Sequence, residues 1–281
     1  MKILSVGLFL TACTNIDGYS GKESFNNTGD TSEEQTTIPT EITVEISQAF
    51  RVPERSWDLA VHPDGRIFCS TQSGSKVYAW DPQTADRSEE IASNTDILAL
   101  SISNENEIFY TTTEYGVTGT LSVMVDQDSQ ILATQADDGT LFRWPMDLIS
   151  APDGGWLIAD YDDGSVFWVH SNTSVTRHEV GSAFPEALVY QEPYLYIGGE
   201  DGLYRKEWPD GENEQLSDTA TFGLEIVEGE IWAGTISSIY SLEGSFSTLP
   251  EVARAGSLVF SNGVLYVGDK VGEGVWQISF D

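Results

Sequence analysis

The stretch that decides the fold is residues 59–68, LAVHPDGRIF, in which two apolar segments flank a turn at residues 62–65. Short apolar segments separated by Pro, Asp and Gly are typical of two β-strands joined by a tight turn. The same order recurs along the chain, with a leucine in the first segment and β-branched or aromatic residues in the second. The leucines, 34–48 residues apart, are Leu59, Leu100, Leu148, Leu188, Leu224 and Leu258.

Each unit continues with a third apolar segment, as in residues 77–80 (VYAW) and 166–169 (VFWV). Weaker fourth segments lie near residues 89–92, 176–180 and 247–249. Four strands in a unit of about 40 residues are typical of a propeller blade. Because no segment has a helical period, the sequence predicts an all-β chain with six blades.

The two ends of the repeated region predict how the ring closes. The sixth unit stops at Asp281, directly after its third strand, and an apolar segment at residues 43–48 precedes the first unit. If this segment supplies the missing outer strand of the last blade, the ring closes without an open sheet edge. We therefore predict a six-bladed β-propeller over residues 42–281, closed by an N-terminal strand in the last blade.

The N-terminus carries a short apolar segment, residues 3–10, after Lys2. It is far shorter than the ~20 residues of a membrane-spanning helix and is typical of an export signal. It leads into residues 10–13 (LTAC), which resemble the bacterial lipobox, and the resemblance implies that Cys13 is acylated and becomes the new N-terminus.

The resemblance also implies where the protein resides. We expect a signal peptide at residues 1–12 and a lipidated, flexible tether at residues 13–41, which are rich in Ser, Thr, Asn, Gly and Glu. The tether would hold the domain at the cell envelope, attached to a lipid bilayer through Cys13. Thr14 in place of an aspartate favours the outer membrane if the source is Gram-negative.

The remaining cysteine and the histidines carry little sign of catalysis. With Cys13 acylated, Cys69 has no disulfide partner, and its apolar strand context predicts a buried free thiol. His62, His170 and His178 fall in a hairpin turn, at a strand end and on an outer strand. These positions do not converge, so a Ser-His-Asp relay is not expected.

The charge is strongly acidic, with 45 Asp and Glu against 13 Lys and Arg and a net charge of -32. Such a surface repels phosphate backbones, and nucleic acid is therefore not expected as a partner. The excess acid could be a solvated surface or could serve divalent cations, which prefer oxygen ligands. Its scattering along the chain favours the first interpretation.

Residues 59–68 and 75–82 (SKVYAWDP) resemble the strand phrases of NHL-repeat and gluconolactonase (regucalcin-like) propellers. The resemblance covers residues 43–281 in architecture, and it implies a calcium-like cation at the axis, held by acidic or amide side chains two residues before the repeated leucine. Among the six residues at that position only Glu186 is a possible ligand. A register shift of one residue adds Asp58 and Asp147, and these three are our candidate Ca²⁺ ligands, short of a full cage. The six positions are Trp57, Leu98, Met146, Glu186, Phe222 and Gly256.

The starts of the first strands should surround one mouth of the central channel. Aromatic, acidic and arginine side chains there form a candidate surface for a small ligand or peptide. The alternative is that these side chains form structural ion pairs that fill the channel. The candidate residues are Arg55, Trp57, Asp58, Arg143, Trp144, Asp147, Glu186, Phe222 and Arg254.

Two functions follow from this sequence. The preferred hypothesis is a monomeric, membrane-anchored lipoprotein whose propeller is a non-catalytic binding platform for a protein, peptide or glycan, because no complete catalytic set is recognisable. The alternative is a divalent-cation-dependent lactonase or esterase of the gluconolactonase type.

Overall fold

The computed structural model describes residues 40–280 except 73–74, 94, 115–117 and 126–127. These residues form 25 strands and no helix. Accordingly, nothing in this part of the chain qualifies as a membrane-spanning helix. The predicted signal peptide, Cys13 and nearly all of the predicted tether lie outside the described residues.

The strands form six sheets, each the blade of a propeller. Blades 1 to 3 consist of β3 (Ser56–Val61), β4 (Ile67–Thr71), β5 (Lys76–Trp80) and β6 (Arg87–Ala92); β7 (Asp96–Ile102), β8 (Ile108–Thr113), β9 (Thr120–Val125) and β10 (Asp128–Ala133); and β11 (Pro145–Ser150), β12 (Trp156–Asp160), β13 (Ser165–Val169) and β14 (Val175–Glu179). Blades 4 and 5 consist of β15 (Pro185–Gln191), β16 (Tyr194–Gly199), β17 (Gly202–Glu207) and β18 (Asn213–Ser217); and β19 (Gly223–Val227), β20 (Glu230–Gly234), β21 (Ser238–Ser241) and β22 (Ser245–Thr248). Blade 6 combines β23 (Ala255–Ser261), β24 (Val264–Asp269) and β25 (Val275–Phe280) with β2 (Val44–Phe50).

The predicted closure of the ring is confirmed. Strand β2 pairs antiparallel with β25, with Val44 opposite Phe280 and Phe50 opposite Val275. The all-β, six-bladed architecture expected from the repeated leucines is likewise present.

One further strand precedes β2. Thr40 and Glu41, the last two residues of the predicted tether, form β1, which pairs parallel with β22 on the outer side of blade 5. Thr40 lies opposite Ser245, the first residue of β22. Since β22 begins at the end of the blade away from the starts of the inner strands, the chain joins the propeller on the face opposite the channel mouth described below.

The core lies between neighbouring blades, as the alternation of side chains along a strand requires. In β4, Ile67 and Cys69 pack with Tyr266 of blade 6, while Phe68 between them packs with Leu100 of blade 2. Cys69 is a fully buried free cysteine, as predicted, and burial raises the pKa of its thiol. A thiol held protonated in this way is a poor nucleophile.

Candidate ligand site at the mouth of the central channel

The inner strands β3, β7, β11, β15, β19 and β23 surround a central channel with a cavity of about 290 Å³. At the end where these strands begin, a second cavity of about 190 Å³ opens outwards, and we name it the cup. Its residues come from blades 1, 3, 4 and 6, so its shape depends on the closed ring. The cup is lined by Trp57, Trp144, Met146, Tyr161, Glu186, Glu200 and Arg254.

The aromatic side of the cup is held by Asp160, the last residue of β12. Its buried carboxylate accepts hydrogen bonds from the backbone N–H of Arg143 at 2.7 Å and of Trp144 at 3.0 Å. The next residue, Tyr161, donates its backbone N–H to the carbonyl oxygen of Trp144 at 3.0 Å. Asp160 therefore fixes the loop that carries Trp144 against the loop that carries Tyr161.

Tyr161 and Glu200 interact at the rim of this aromatic side. Burial, reinforced by the Glu200 carboxylate, raises the pKa of Tyr161 to about 12. The phenol therefore stays protonated and serves as a hydrogen-bond donor to Glu200. Glu200 itself lies in the exposed turn between β16 and β17, where its carboxylate is open to water.

The cationic side of the cup has the same backbone arrangement, with Asp269 at the end of β24 in the place of Asp160. Its carboxylate accepts from the backbone N–H of Ala253, Arg254 and Val271 at 3.0, 3.1 and 3.0 Å. Lys270 donates its backbone N–H to the carbonyl oxygen of Arg254 at 3.1 Å. Asp269 thereby positions both cationic residues.

Both cations converge on Glu186. Arg254 Nη2 lies 2.7 Å from Oε1, and Lys270 Nζ lies 3.2 Å from Oε2, so each carboxylate oxygen has a charged donor. The side chains of Glu186 and Lys270 are each 2% exposed. The Arg254 guanidinium also stacks 3.7 Å from the Phe222 ring centroid, and Lys270 Nζ lies 5.2 Å from that of Trp57. These cation–π contacts hold the two cations in place.

Asp58 connects blade 1 to its neighbours at the axis. Its carboxylate accepts from the backbone N–H of Leu59 at 2.8 Å, from that of Leu100 in blade 2 at 2.7 Å and from the Ser257 hydroxyl of blade 6 at 2.7 Å. Burial nevertheless raises the pKa of Asp58, and these hydrogen bonds only partly oppose the shift.

Asp147 has the same role between blades 3 and 4. It accepts from the backbone N–H of Leu148 at 2.7 Å and of Leu188 at 2.5 Å. Loss of hydration, followed by the charge of Asp58, raises the pKa of Asp147. Each aspartate therefore accepts hydrogen bonds from backbone N–H groups of two adjacent blades.

The proposed Ca²⁺ ligands Glu186, Asp58 and Asp147 do not fit a divalent cation as they are placed. Ca²⁺ requires six to eight oxygen ligands. Here the Glu186 oxygens bind two cations and the aspartates bind backbone N–H groups. Within the described part of the chain, no group of three or more His, Cys, Asp or Glu side chains is arranged to hold a metal ion.

Two polar atoms of the cup are unsatisfied. Trp57 Nε1 and Arg254 Nε are buried and lack a hydrogen-bond partner among the described residues. Buried N–H groups are nearly always paired, so these two unpaired donors are exceptions among the residues that line the cup.

Only some of the ligand-binding residues predicted from the sequence lie together at the channel mouth. Trp57, Trp144, Glu186 and Arg254 line the cup, Asp58 and Asp147 line the channel below it, and Phe222 lies against Arg254. Arg55 and Arg143 are exposed and lie outside the cup lining. Four residues of the cup or channel were not among the candidate ligand residues, and three of them follow second strands. The missed residues are Met146, Tyr161, Glu200 and Lys270.

Comparison with solved structures identifies enzymes of the same fold. A gluconolactonase from Xanthomonas campestris superposes with a TM-score of 0.71 at 14% identity, covering 88% of this chain and 96% of that one. A luciferin-regenerating enzyme gives 0.70 at 10% identity, covering 84% and 95%. Virginiamycin B lyase from Staphylococcus aureus gives 0.60 at 9% identity, covering 85% and 100%.

Sequence comparison adds no relative, because no protein-family model and no curated protein sequence matches the chain. At such low identities the structural likeness concerns the fold. The chain is therefore a six-bladed β-propeller with the architecture found in gluconolactonases and other propeller enzymes.

Proposed function

We propose that the cup binds a small polyhydroxylated lactone or ester and hydrolyses it. This keeps the lactonase or esterase of the alternative hypothesis but not its dependence on a divalent cation, because the channel carboxylates do not fit one. The observation that carries the proposal is the cup itself, a cavity with aromatic walls and the partly exposed guanidinium of Arg254 in its lining. Aromatic faces suit the C–H surfaces of a sugar ring, and fixed donors suit its oxygens. The fold of gluconolactonases is in line with this choice.

The cup offers roles for a ring-opening hydrolysis. The partly exposed guanidinium of Arg254 can donate an N–H to the carbonyl oxygen, where negative charge develops. Glu200 at the rim can accept a proton from a water molecule as the water oxygen bonds to the carbonyl carbon. The bond from that carbon to the ring oxygen then breaks, the ring oxygen takes up the proton, and an open hydroxy acid leaves. Tyr161, protonated, orients the Glu200 carboxylate.

The test is lactone hydrolysis by wild type, Glu200→Gln and Glu214→Gln, with a panel of sugar lactones and EDTA present. Glu214 pairs with Arg205 away from the cup and is the matched control. We expect wild type and the control to exceed the spontaneous rate equally, and Glu200→Gln to lose about 100-fold, the usual contribution of a general base. Wild-type rates no higher than those of Glu200→Gln would refute the hydrolase.

A second candidate retains the preferred hypothesis of the sequence analysis, a monomeric platform anchored at the cell envelope that binds a protein, peptide or glycan. Thr40 and Glu41 pair with β22 on the face opposite the cup, so the described start of the chain leaves the cup uncovered for such a partner. Binding of an oligosaccharide or peptide to the cup without turnover of any ester would favour this candidate over the hydrolase.

The anchor has its own test. Expression of the full chain and of Cys13→Ser in a bacterial host, followed by detergent phase partition and mass measurement, separates acylated from free protein. We expect the full chain to enter the detergent phase with the mass of a diacylated N-terminal cysteine, and Cys13→Ser to stay in the aqueous phase. Equal partition of the two proteins would remove the anchor.

A further inference from the structure

We propose that the ligand of the cup carries an apolar chain, alkyl or acyl, which leaves the cup along Tyr161 and Phe184. The inference rests on the proposed function in that it places a polyhydroxylated group in the cup, and it adds that the whole ligand is amphipathic. The cup, with about 190 Å³, is smaller than the roughly 300–1,000 Å³ of pockets that enclose a drug-sized ligand. It therefore holds a head group, and the rest of a larger ligand would lie on the surface around it.

The aromatic side of the cup continues outwards beyond the cup. Inside the cup, Trp144 and Tyr161 pack against the buried side chains of Trp57 and Met146. Outside it, the Tyr161 ring contacts the Phe184 ring, with 5.1 Å between the two ring centroids. Phe184 itself is 41% exposed. One apolar surface therefore runs from the lining of the cup to the open face of the propeller.

The loop that carries Phe184 is fixed by the carboxylate of Asp201. This carboxylate accepts hydrogen bonds from the Ser182 hydroxyl at 2.6 Å and from the Ala183 N–H at 2.8 Å, and Ser182 Oγ accepts from the Phe184 N–H at 3.3 Å. A Cβ atom on Gly199 would lie 2.5 Å from the Phe184 carbonyl oxygen, so glycine lets this loop lie against the end of β16. A ring held exposed in this way loses little conformational freedom when a ligand contacts it.

The cationic side of the cup offers no such surface to a chain. The Arg254 side chain is 25% exposed there, and an apolar chain laid over it would take its charge further out of water. On the aromatic side the chain instead covers ring surface, and each methylene group that leaves water increases affinity about fourfold. The head group therefore meets Arg254, and the chain leaves the cup on the opposite side, over Tyr161 and Phe184.

The experiment is calorimetric titration in EDTA with methyl and octyl β-D-glucoside, which share one polyhydroxylated ring and differ in the chain, below the concentration at which the octyl compound forms micelles. The proteins are wild type, Phe184→Ser, Phe184→Leu and Val271→Ser. Val271, 53% exposed and directly after Lys270 on the cationic side, is the matched control. We expect wild type and Val271→Ser to bind the octyl compound at least about 10-fold more tightly than the methyl compound. Phe184→Leu should keep most of this ratio, and Phe184→Ser should reduce it to about 2- to 3-fold.

Three results would overturn the inference. Equal affinities of wild type for the two glucosides would leave the cup as a site for purely polar ligands. A ratio that Phe184→Ser keeps, or that Val271→Ser removes, would show that the chain does not lie on Phe184. Binding of neither glucoside would overturn both this inference and the binding step of the proposed function. Glucosides are neither lactones nor esters, so loss of the proposed hydrolysis alone would not alter these outcomes.

Discussion

The loops that start blades 3 and 6 share one backbone arrangement, but one carries aromatic side chains and the other carries cationic side chains. In each, a buried aspartate at the end of the second strand accepts the N–H groups of two consecutive residues before the first strand. In each, the residue after the aspartate donates to the carbonyl oxygen of the second of those residues. Blade 3 presents Trp144 and Tyr161 in this way, and blade 6 presents Arg254 and Lys270.

The comparison shows that the repeated backbone hydrogen bonds set where a side chain enters the cup, whereas the residue at that position decides whether the wall is aromatic or cationic. Blades 3 and 6 lie three steps apart in a six-membered ring, so the aromatic and cationic halves of the cup face each other across the axis. A ligand between them meets an apolar face on one side and charged donors on the other. The two aspartates, Asp160 and Asp269, touch no part of the cup cavity itself and are positioning residues.

The largest expected effect comes from removal of either positioning aspartate. Asp160→Ala and Asp269→Ala each deprive three backbone N–H groups of their acceptor. An unpaired buried donor costs about 1–3 kcal/mol, so each variant should lose about 3 kcal/mol of unfolding free energy. Urea unfolding measures the loss, with Asp138→Ala, at an exposed turn, as control. A loss in only one of the two variants would show that the two loops are not equivalent.

The next prediction compares how much the cationic and the aromatic side of the cup each contribute to ligand affinity. Arg254→Ala removes a charged donor and should weaken binding of a sugar-derived carboxylate about 10- to 100-fold. Trp144→Ala removes one aromatic wall and should weaken it about 3- to 10-fold. Calorimetric titration gives both constants. Equal losses would mean that the two sides contribute alike, contrary to the division of roles described above.

A pH-dependent effect concerns a channel carboxylate without a positioning role in the cup. Burial raises the pKa of Glu225 from 4.5 to about 7, and the folded state therefore binds a proton that the unfolded state releases. Its contribution to stability is present below about pH 4.5 and is lost as the pH rises through about 7. Glu225→Gln should show a shallower decline of unfolding free energy over this range, measured by urea unfolding at several pH values. An unchanged slope would place the titrating group elsewhere.

The fold was readable from the sequence because each blade repeats the same local pattern. The leucine, turn and aromatic strand at residues 59–68 need only short-range information, and the unassigned strand at residues 43–48 completed the count. The short strand β1 was not foreseen, because Thr40 and Glu41 stand in a polar segment and pair through backbone groups alone.

The site could be predicted from the sequence only for residues at or just before the starts of the inner strands. Trp57, Trp144, Glu186 and Arg254 were found because each stands at or just before the start of a first strand. Lys270 and Tyr161 were missed although both follow an aspartate that ends a second strand. The role of Asp58 as an acceptor between blades could not be predicted from the sequence either, since its partner, the Leu100 N–H, lies 42 residues away in the next blade.

The central claim, that the two halves of the cup together hold one small ligand, is tested most directly by calorimetric titration with D-gluconate in EDTA. We predict one saturable site in wild type and in Arg205→Ala, whose arginine lies outside the cup. Arg254→Ala should bind at least about 10-fold more weakly. Absence of binding to wild type, equal binding by Arg254→Ala, or binding only after calcium is added would contradict the account.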